Sequence, residues 1–239
     1  MSGTTTGEAA SRATTSALRA EGLTRVFGSG PGQVTALSGA TLEVAPGELL
    51  VVRGPSGSGK TTLLNLLGGL DKPTAGRVWL GERELTALPE AQVIAARRDE
   101  IGYVFQSFGL VPVLSAAENV EVPLRLRRTP VAERAERVQA ALAAVGLADH
   151  ARQRPYELSG GQQQRVGIAR ALVADPTVLI ADEPTGQLDS ATAALIMDLV
   201  RQVVHERAMA AVVSTHDPLL LQRADRVVEL RDGRIVDQR

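Results

Sequence analysis

Residues 48–62 of the chain read ELLVVRGPSGSGKTT, and this stretch decides the fold. An apolar run that suits a short buried strand leads into a glycine-rich turn, and a helix is predicted to begin at Lys60. Gly54, Gly59, Lys60 and Thr61 satisfy the pattern G-x-x-x-x-G-K-S/T between a strand and a helix, which is the setting that gives the pattern meaning. The stretch therefore predicts a P-loop.

The predicted P-loop has the chemistry of a triphosphate site. Its backbone N–H groups turn inward around phosphate oxygens, and the helix N-terminus adds its positive end. Lys60 would reach the β- and γ-phosphates, and the Thr61 hydroxyl would bind Mg²⁺. A serine- and glycine-rich surface turn with a chance lysine is the alternative, but the chain has only one other lysine, Lys72. We expect the nucleotide to contact the whole loop, which comprises Gly54, Pro55, Ser56, Gly57, Ser58, Gly59, Lys60, Thr61 and Thr62.

Composition limits the classes of protein to consider. The chain has 239 residues, of which 44% are hydrophobic and 22% charged, and its net charge of -1 gives no general attraction to nucleic acid or to an anionic membrane. The absence of cysteine excludes disulfides, thiolate metal sites and a cysteine nucleophile. No apolar run approaches the ~18 residues of a membrane span, and the first residues lack a signal-peptide pattern. We therefore expect a cytosolic protein that reaches a membrane only through a partner.

Hydrophobic periodicity predicts an α/β fold. Two β segments, Leu18–Phe27 and Val34–Val44, are joined by a Gly/Pro-rich turn and predict an N-terminal antiparallel β subdomain. Later strands alternate with helices, which predicts a P-loop NTPase core with a mainly parallel sheet covered on both faces. Helical spacing from Ser115 to Tyr156 predicts a small helical subdomain inserted at about residues 107–160. Residues 1–16 are predicted to be a disordered tail, and residues 17–239 a single folded domain.

Two carboxylates follow another apolar strand. Residues 177–183 read TVLIADE, so Asp182 and Glu183 lie at the carboxyl end of the strand, the sheet edge that also carries the P-loop. Asp182 fits a Mg²⁺-coordinating aspartate, and Glu183 is placed to polarise an attacking water. Solvated acids ending a buried strand are the alternative for this segment taken alone.

A second predicted phosphate-binding segment lies just ahead of that strand. Residues 158–165 read LSGGQQQR, and a serine with two glycines at a helix start can form an anion-binding nest. Taken alone the segment is equally a helix N-cap. In this position it resembles the signature motif of the ATP-binding cassette (ABC) ATPases. The resemblance implies that ATP contacts Ser159, Gly160, Gly161 and Gln162.

Four more residues match ABC motifs in order along the chain. Gln106, which ends the predicted strand Tyr103–Phe105, matches the glutamine that contacts Mg²⁺ and the attacking water. Asp189 matches the D-loop at the dimer interface, and His216 the histidine that contacts the γ-phosphate. Phe27 stands where the family places an aromatic residue that stacks on adenine. Taken alone, each has a structural interpretation: a strand-end glutamine, a helix N-cap, a structural histidine and a core aromatic.

The resemblance covers about residues 18–236 and has two departures. Phe27 replaces the commoner tyrosine, which preserves the aromatic face. Gln187 replaces the asparagine that usually precedes Leu-Asp in the D-loop, which leaves details of interface coupling open. His150 and His205 match no motif and are interpreted as structural.

The resemblance implies a head-to-tail dimer with ATP held between the P-loop of one copy and Ser159–Gly161 of the other. Glu183 would act as general base. His216 would contact the γ-phosphate, and Gln106 would contact the attacking water. Lys60 together with Mg²⁺ would stabilise the charge on the phosphates. The alternative function is that of a soluble ABC ATPase in DNA repair or translation, although we expect no nucleic-acid partner. A P-loop kinase is a third possible function.

Three stretches narrow the resemblance further: LGGLD at 67–71, FQSFGLVP at 105–112 and AENV at 117–120. They are similar to the ATP-binding subunits of macrolide-exporter, lipoprotein-release and cell-division-type systems. This implies ATP hydrolysis coupled to a separate transmembrane permease, in export or mechanotransmission, at the inner face of the plasma membrane. The permease is expected to dock on four apolar residues near the Gln106 loop, which are Phe108, Leu110, Val111 and Val113. The alternative is that these residues pack beneath the helical insert.

Overall fold

The computed structural model describes residues 16–238. Residues 1–15 of the predicted tail lie outside the described residues. Ser16, the last residue of that predicted tail, donates from Oγ to Glu43 Oε2 at 3.1 Å. The prediction of a disordered tail is therefore untested for residues 1–15.

The described chain begins with strands and then alternates between strands and helices. In chain order the elements are β1 (Leu18–Phe27), β2 (Val34–Val44), β3 (Leu49–Arg53), α1 (Lys60–Leu67), β4 (Ala75–Leu80), β5 (Arg83–Glu84), α2 (Glu90–Glu100), β6 (Ile101–Val104), α3 (Ala116–Leu126), α4 (Val131–Ala144), α5 (Gly160–Leu172), β7 (Val178–Asp182), α6 (Ser190–Glu206), β8 (Ala210–Ser214), α7 (Pro218–Leu221), β9 (Arg226–Arg231) and β10 (Arg234–Gln238). Strand β6 ends at Val104. The prediction that Phe105 belongs to this strand is therefore wrong.

A six-stranded sheet forms the centre of the fold, in the order β10-β9-β3-β8-β7-β6. All neighbouring strands are parallel except β10, which runs antiparallel to β9. Along β3, Leu49 and Val51 enter one hydrophobic cluster, whereas Leu50 and Val52 enter another on the opposite face. Burial on both faces explains why this strand is continuously apolar. The predicted mainly parallel sheet is confirmed.

A second, antiparallel sheet has the order β2-β1-β4-β5. Its apolar side chains share a core cluster with Leu63, Leu64 and Leu67 of α1, so this sheet packs against the helix that begins at the P-loop. The predicted antiparallel N-terminal unit is confirmed. The two-residue strand β5 was not predicted, because two residues are too few to show periodicity.

Helices α3 and α4 belong to the predicted helical insert. Ser115 begins α3 with a reciprocal capping box, in which its Oγ accepts from Glu118 N and Glu118 accepts from Ser115 N. The apolar residues of both helices lie in one cluster with Val166 of α5, so the insert packs on α5. The insert boundaries of about 107–160 remain a prediction. Among residues 16–238, no helix combines the length and the hydropathy that a membrane span requires.

Candidate nucleotide site

The P-loop turn has two positions that only glycine can occupy. A Cβ atom at Gly54 would lie 2.1 Å from the carbonyl oxygen of Leu230, and one at Gly59 would lie 2.4 Å from that of Ala36. Lys60 begins α1 and its Nζ donates to the carbonyl oxygens of Gly54 at 2.9 Å and Pro55 at 3.2 Å. The ammonium group is therefore held by two backbone carbonyls at the start of the loop.

Asp182 lies at the centre of a hydrogen-bond network beside the loop. Its Oδ2 accepts from Thr61 Oγ1 at 2.7 Å, and its Oδ1 accepts from Ser214 Oγ at 2.6 Å. Asp182 and Ser214 are register partners at the ends of β7 and β8, and both are buried. Ser214 was not among the residues predicted from the sequence, although its position at the end of the neighbouring strand could have indicated it.

Glu183 follows Asp182 in a strained backbone conformation. Its φ of 46° lies in the left-handed region, which a glutamate rarely adopts and which recurs at functional sites. The Glu183 N–H contacts Ser214 twice, donating to Oγ at 3.0 Å and to the carbonyl oxygen at 3.1 Å. The Glu183 carboxylate, 13% exposed, lies 3.2 Å from Nδ1 of His216, which is 78% exposed. A carboxylate and an imidazole therefore meet at the rim of the site.

These groups share one cleft of about 690 Å³. The predicted residues that line it are Gly54, Pro55, Ser56, Gly57, Gly59, Lys60, Thr61, Thr62, Gln106, Asp182, Glu183 and His216, and the unpredicted ones are Ala36, Gly186 and Gln187. Ser58 is buried beneath the loop, where its carbonyl oxygen accepts from Gly233 N at 3.0 Å. Phe27, Ser159–Gln162 and Asp189 are not among the residues that line this cleft in the described part of the chain.

The segment Ser159–Gln162 forms a helix N-terminus. Ser159 Oγ accepts from Gln162 N at 3.2 Å, and Gln162 Oε1 accepts from Ser159 N at 2.8 Å, which is a capping box. Nε2 of His150 lies 2.9 Å from the Gln162 amide nitrogen, which only donates, so the imidazole is the acceptor. His150, which matches no motif, therefore contacts the N-terminal cap of α5 from a loop that the sequence pattern does not identify.

Asp189 is the N-cap of α6, as its structural interpretation predicted. Its Oδ1 accepts from the backbone N–H groups of Ala191 at 3.1 Å and Thr192 at 3.0 Å, and its Oδ2 accepts from Thr192 Oγ1 at 2.6 Å. The hydrogen bond from the Thr192 hydroxyl, followed by those from the backbone, lowers the pKa of Asp189. The carboxylate is therefore held in its charged form.

Phe27 ends β1 with its side chain 42% exposed. It pairs across the hairpin with Val34, and Val34 is two residues from Ala36, which lines the cleft. The register of the hairpin shifts at Ala36, which has no partner on β1, so Phe27 lies near the cleft at the end of the hairpin. The guanidinium carbon of Arg25 lies 4.4 Å from the centre of the Phe27 ring. The structure therefore makes Phe27 a partly exposed aromatic and not a core residue.

The segment after Gln106 is held against α5. Arg170 donates to the carbonyl oxygens of Phe108 at 3.0 Å and Gly109 at 2.5 Å, and burial lowers the pKa of its guanidinium. Phe108 has a φ of 60°, and its ring reaches Gly160, where an added Cβ would lie 3.7 Å from it. The loop that carries Gln106 is thus connected to the helix that begins with Ser159–Gln162.

The apolar residues predicted to meet a partner divide into two pairs. Phe108 is half-buried against α5, and the half-buried Leu110 packs on the central cluster. Val111 and Val113 are exposed, at 41% and 72%. Phe108 and Leu110 therefore pack inward, as the packing interpretation predicted, whereas docking of a partner on the exposed Val111 and Val113 stays a prediction.

Comparison with known proteins places this site in a family. Residues 37–186 match the family described as ABC transporter. The lipoprotein-releasing system ATP-binding protein LolD of Chromohalobacter salexigens is 46% identical over 218 residues, which cover 91% of this chain and 92% of LolD. The macrolide export ATP-binding/permease protein MacB of Brucella melitensis is 45% identical over 92% of this chain, but the chain spans only 34% of MacB.

Solved structures give the same result. The cassette MJ0796, in a dimeric post-hydrolysis state bound to ADP and Pi, matches with a TM-score of 0.89 and 39% identity over 93% of this chain and 97% of that one. Another dimeric structure of MJ0796, described as a bacterial ABC transporter cassette, matches with a TM-score of 0.90. The chain therefore belongs to the ABC transporter family, as an ATP-binding and ATP-hydrolysing subunit of the LolD and MacB type.

Proposed function

We propose that two copies of this chain bind two ATP molecules head to tail and use their hydrolysis to move a separate transmembrane permease. One observation supports a composite site, in which each ATP contacts both copies of the chain. The P-loop lines the cleft, whereas Ser159–Gly161, an N-terminal helix end suited to an anion, is not among the residues that line it in the same chain. A second copy is the natural source of a helix end that covers the exposed side of the triphosphate. The dimeric MJ0796 structures support this arrangement.

The oxygen donors beside the P-loop fit Mg²⁺. The Thr61 hydroxyl and the Asp182 carboxylate already lie 2.7 Å apart, and Gln106 lines the same cleft. Mg²⁺ prefers oxygen ligands and is commonly held by few protein groups together with water and phosphate. Thr61, Asp182 and Gln106 would therefore hold the ion, which supplies positive charge against the phosphates when bound.

The remaining residues provide the reaction's proton acceptor and its charge stabilisation. Glu183 is the proposed general base for the attacking water, because its carboxylate is held at the cleft by the strained backbone and by Ser214. His216, beside Glu183, would contact the γ-phosphate, and Gln106 would orient the water. Lys60 would stabilise the charge that develops on the transferred phosphate.

The permease is proposed to dock on Val111 and Val113, beside the loop that carries Gln106. The backbone of Val111 is fixed in place, because the buried Asn119 accepts from Val111 N at 2.8 Å and donates to Val111 O at 3.2 Å. The named relatives of lipoprotein release and macrolide export support an export or mechanotransmission role at the inner face of the plasma membrane.

Mixing two inactive variants tests the composite site. Lys60→Ala removes the phosphate-binding lysine, and Gly160→Asp puts a carboxylate into the proposed nest, where the nearest neighbours of an added Cβ lie 3.7 Å or more away. A mixed dimer of the two variants contains one site with both halves intact. We expect each variant alone to be inactive and ATPase activity to return on mixing, with Gly160→Ala as the control for bulk.

Absence of activity in a mixture whose heterodimer is detected would contradict the composite site. Stimulation of the wild-type ATPase by DNA or ribosomes in a salt-sensitive manner would instead favour a function outside transport.

A further inference from the structure

Arg25, Phe27 and Asp71 form a stack beside the nucleotide cleft. Arg25 binds Asp71 through two parallel hydrogen bonds, from Nε to Oδ2 at 2.7 Å and from Nη2 to Oδ1 at 2.9 Å. This fork fixes the plane of the guanidinium, because both bonds must be kept together. The same guanidinium lies over the Phe27 ring, 4.4 Å from its centre. One face of the ring is thus covered by an oriented cation.

The stack is attached to the P-loop helix. Asp71 lies in the turn just after α1, and its N–H donates to the carbonyl oxygen of Asn65 within that helix at 3.3 Å. Asn65 Oδ1 in turn accepts from the hydroxyl of Tyr103 at 2.7 Å. The turn that follows the helix of the phosphate loop therefore carries the carboxylate that orients Arg25.

We propose that Arg25, oriented by Asp71, is a positioning residue that holds the Phe27 ring in the plane required to stack on the purine base of ATP. The inference rests on the proposed function and on the base-stacking role that the ABC resemblance implies for Phe27, and it goes further by assigning a support to that residue. Phe27 lies at the end of a strand and is 42% exposed, so a substantial part of the residue has no neighbour packed against it. A guanidinium on one face restricts the ring and leaves the opposite face for the base.

The chemistry suits a phenylalanine in particular. Without a hydroxyl, Phe27 has no hydrogen bond of its own to fix the ring, and the cation on its covered face supplies that orientation. The cation also draws ring electron density toward itself, which favours stacking of an electron-rich purine on the other face. A purely structural role for Arg25, in closing the β1–β2 hairpin on the P-loop helix, is the competing explanation.

Binding of two magnesium-loaded ligands separates these explanations. ADP carries the base, whereas inorganic tripolyphosphate has only the phosphate chain. Isothermal titration of Arg25→Met should show ADP binding weakened about two- to five-fold, the equivalent of one exposed cation–π contact, and tripolyphosphate binding unchanged. Arg25→Lys keeps the charge without the fork and should give a smaller loss of ADP affinity.

The chain offers a matched control elsewhere on the same sheet. The guanidinium of Arg19 lies 4.1 Å from the centre of the Trp79 ring and pairs with Glu21 at 2.7 Å, away from the cleft. Arg19→Met removes a contact of similar distance, while the guanidinium of Arg77 stays 5.1 Å from the centre of the same ring, and we expect the variant to bind both ligands as the wild type does.

A double mutant tests whether Arg25 acts through the ring. In a Phe27→Ala background, Arg25→Met should weaken ADP binding no further, because the ring it orients is gone. An Arg25→Met variant that weakens tripolyphosphate binding as much as ADP binding would overturn the inference, as would full additivity with Phe27→Ala. A Phe27→Ala variant with wild-type ADP affinity would overturn the stacking role of Phe27 itself, and this inference with it.

Discussion

The Asp182 carboxylate accepts a hydrogen bond of 2.7 Å from the hydroxyl of Thr61, a residue 121 positions earlier in the chain. The contact connects the end of β7 to the first turn of α1. The edge of the sheet and the phosphate loop therefore meet at two oxygen atoms, the Thr61 hydroxyl and one oxygen of the Asp182 carboxylate. Ser214 completes the arrangement from the end of β8 at 2.6 Å. The candidate metal site is therefore held in place by groups from three separate segments.

Ser214→Ala is predicted to reduce both stability and ATPase activity. The buried hydroxyl donates to Asp182 and accepts from Glu183 N, so its removal leaves a buried carboxylate oxygen without that partner. We expect a loss of about 1–3 kcal/mol in the free energy of unfolding, measured by urea denaturation. Thr177→Val is the control, because that hydroxyl is exposed and should contribute no more than about 0.5 kcal/mol. Equal effects of the two variants would exclude a special role for Ser214.

Glu183→Gln is predicted to stop turnover while preserving ATP binding. The amide keeps the shape of the side chain but cannot accept the proton of the attacking water, so we expect kcat to fall at least ~100-fold. Size-exclusion chromatography with ATP should then show a trapped dimer. Glu136→Gln, an exposed position on α4, serves as the control and should behave as the wild type. Near-normal hydrolysis by Glu183→Gln would remove Glu183 from the role of base.

Much of the candidate site was predictable because its residues lie at the ends of apolar strands. Those strands are parallel neighbours, so Asp182 and the residues after β8 and β3 must converge on one sheet edge. Ser214 could have been predicted from the same argument, since it ends the strand beside Asp182.

Other features could not be predicted from pattern alone. The run from Phe108 to Val113 is apolar without periodicity, so nothing in it distinguishes the half-buried Leu110 from the exposed Val113. The support of Phe27 by Arg25 depends on Asp71, which lies 46 positions later and is brought near by the packing of α1 on the hairpin. Such contacts arise from tertiary structure, which local spacing does not encode.

Substitution of Asp189 is predicted to separate its capping role from any role of its charge. Asparagine also caps helices, so Asp189→Asn should keep most of the stability that Asp189→Ala loses. Asp189→Asn with wild-type stability but low ATPase activity would indicate that the charge acts between the two copies. Equal activity of the wild type and Asp189→Asn would leave capping as its role.

The stability contributed by the Asp189 cap is also predicted to depend on pH. Because hydrogen bonds lower the pKa of this carboxyl in the folded state, its contribution is fully present above the ordinary pKa of about 3.9. It is lost as the pH falls through the lowered value. The difference in urea midpoint between wild type and Asp189→Ala should therefore shrink below about pH 4. A difference that is constant from neutral to acidic pH would contradict this linkage.

Polar substitution of Val111 and Val113 is predicted to break coupling to the permease. Both side chains are exposed, so Val111→Ser with Val113→Ser should change the free energy of unfolding by no more than about 0.5 kcal/mol. We expect unstimulated ATPase activity to persist and co-purification with the membrane subunit to be lost. Leu110→Ser should instead destabilise the fold, because Leu110 packs on the core. Unchanged co-purification of the double variant would exclude this docking surface.

Arg170 is predicted to transmit the position of α5 to the loop that carries Gln106. Its guanidinium is the donor to Phe108 O and Gly109 O, so Arg170→Met leaves two carbonyl oxygens without that donor, at a cost of about 1–3 kcal/mol in the free energy of unfolding. Because these carbonyls lie just after Gln106, we also expect kcat to fall more than KM rises. Steady-state ATPase kinetics and urea denaturation measure the two effects.

Arg165 provides the matched control for Arg170. It lies on the same helix and donates to Val145 O at 2.8 Å, on the helical insert and away from the Gln106 loop. Arg165→Met should therefore lower stability by a similar amount while kcat, corrected for the folded fraction, stays close to that of the wild type. If kcat falls equally in both variants, the loss reflects a general loosening of α5, and the contact of Arg170 with Phe108 and Gly109 has no separate part in positioning Gln106.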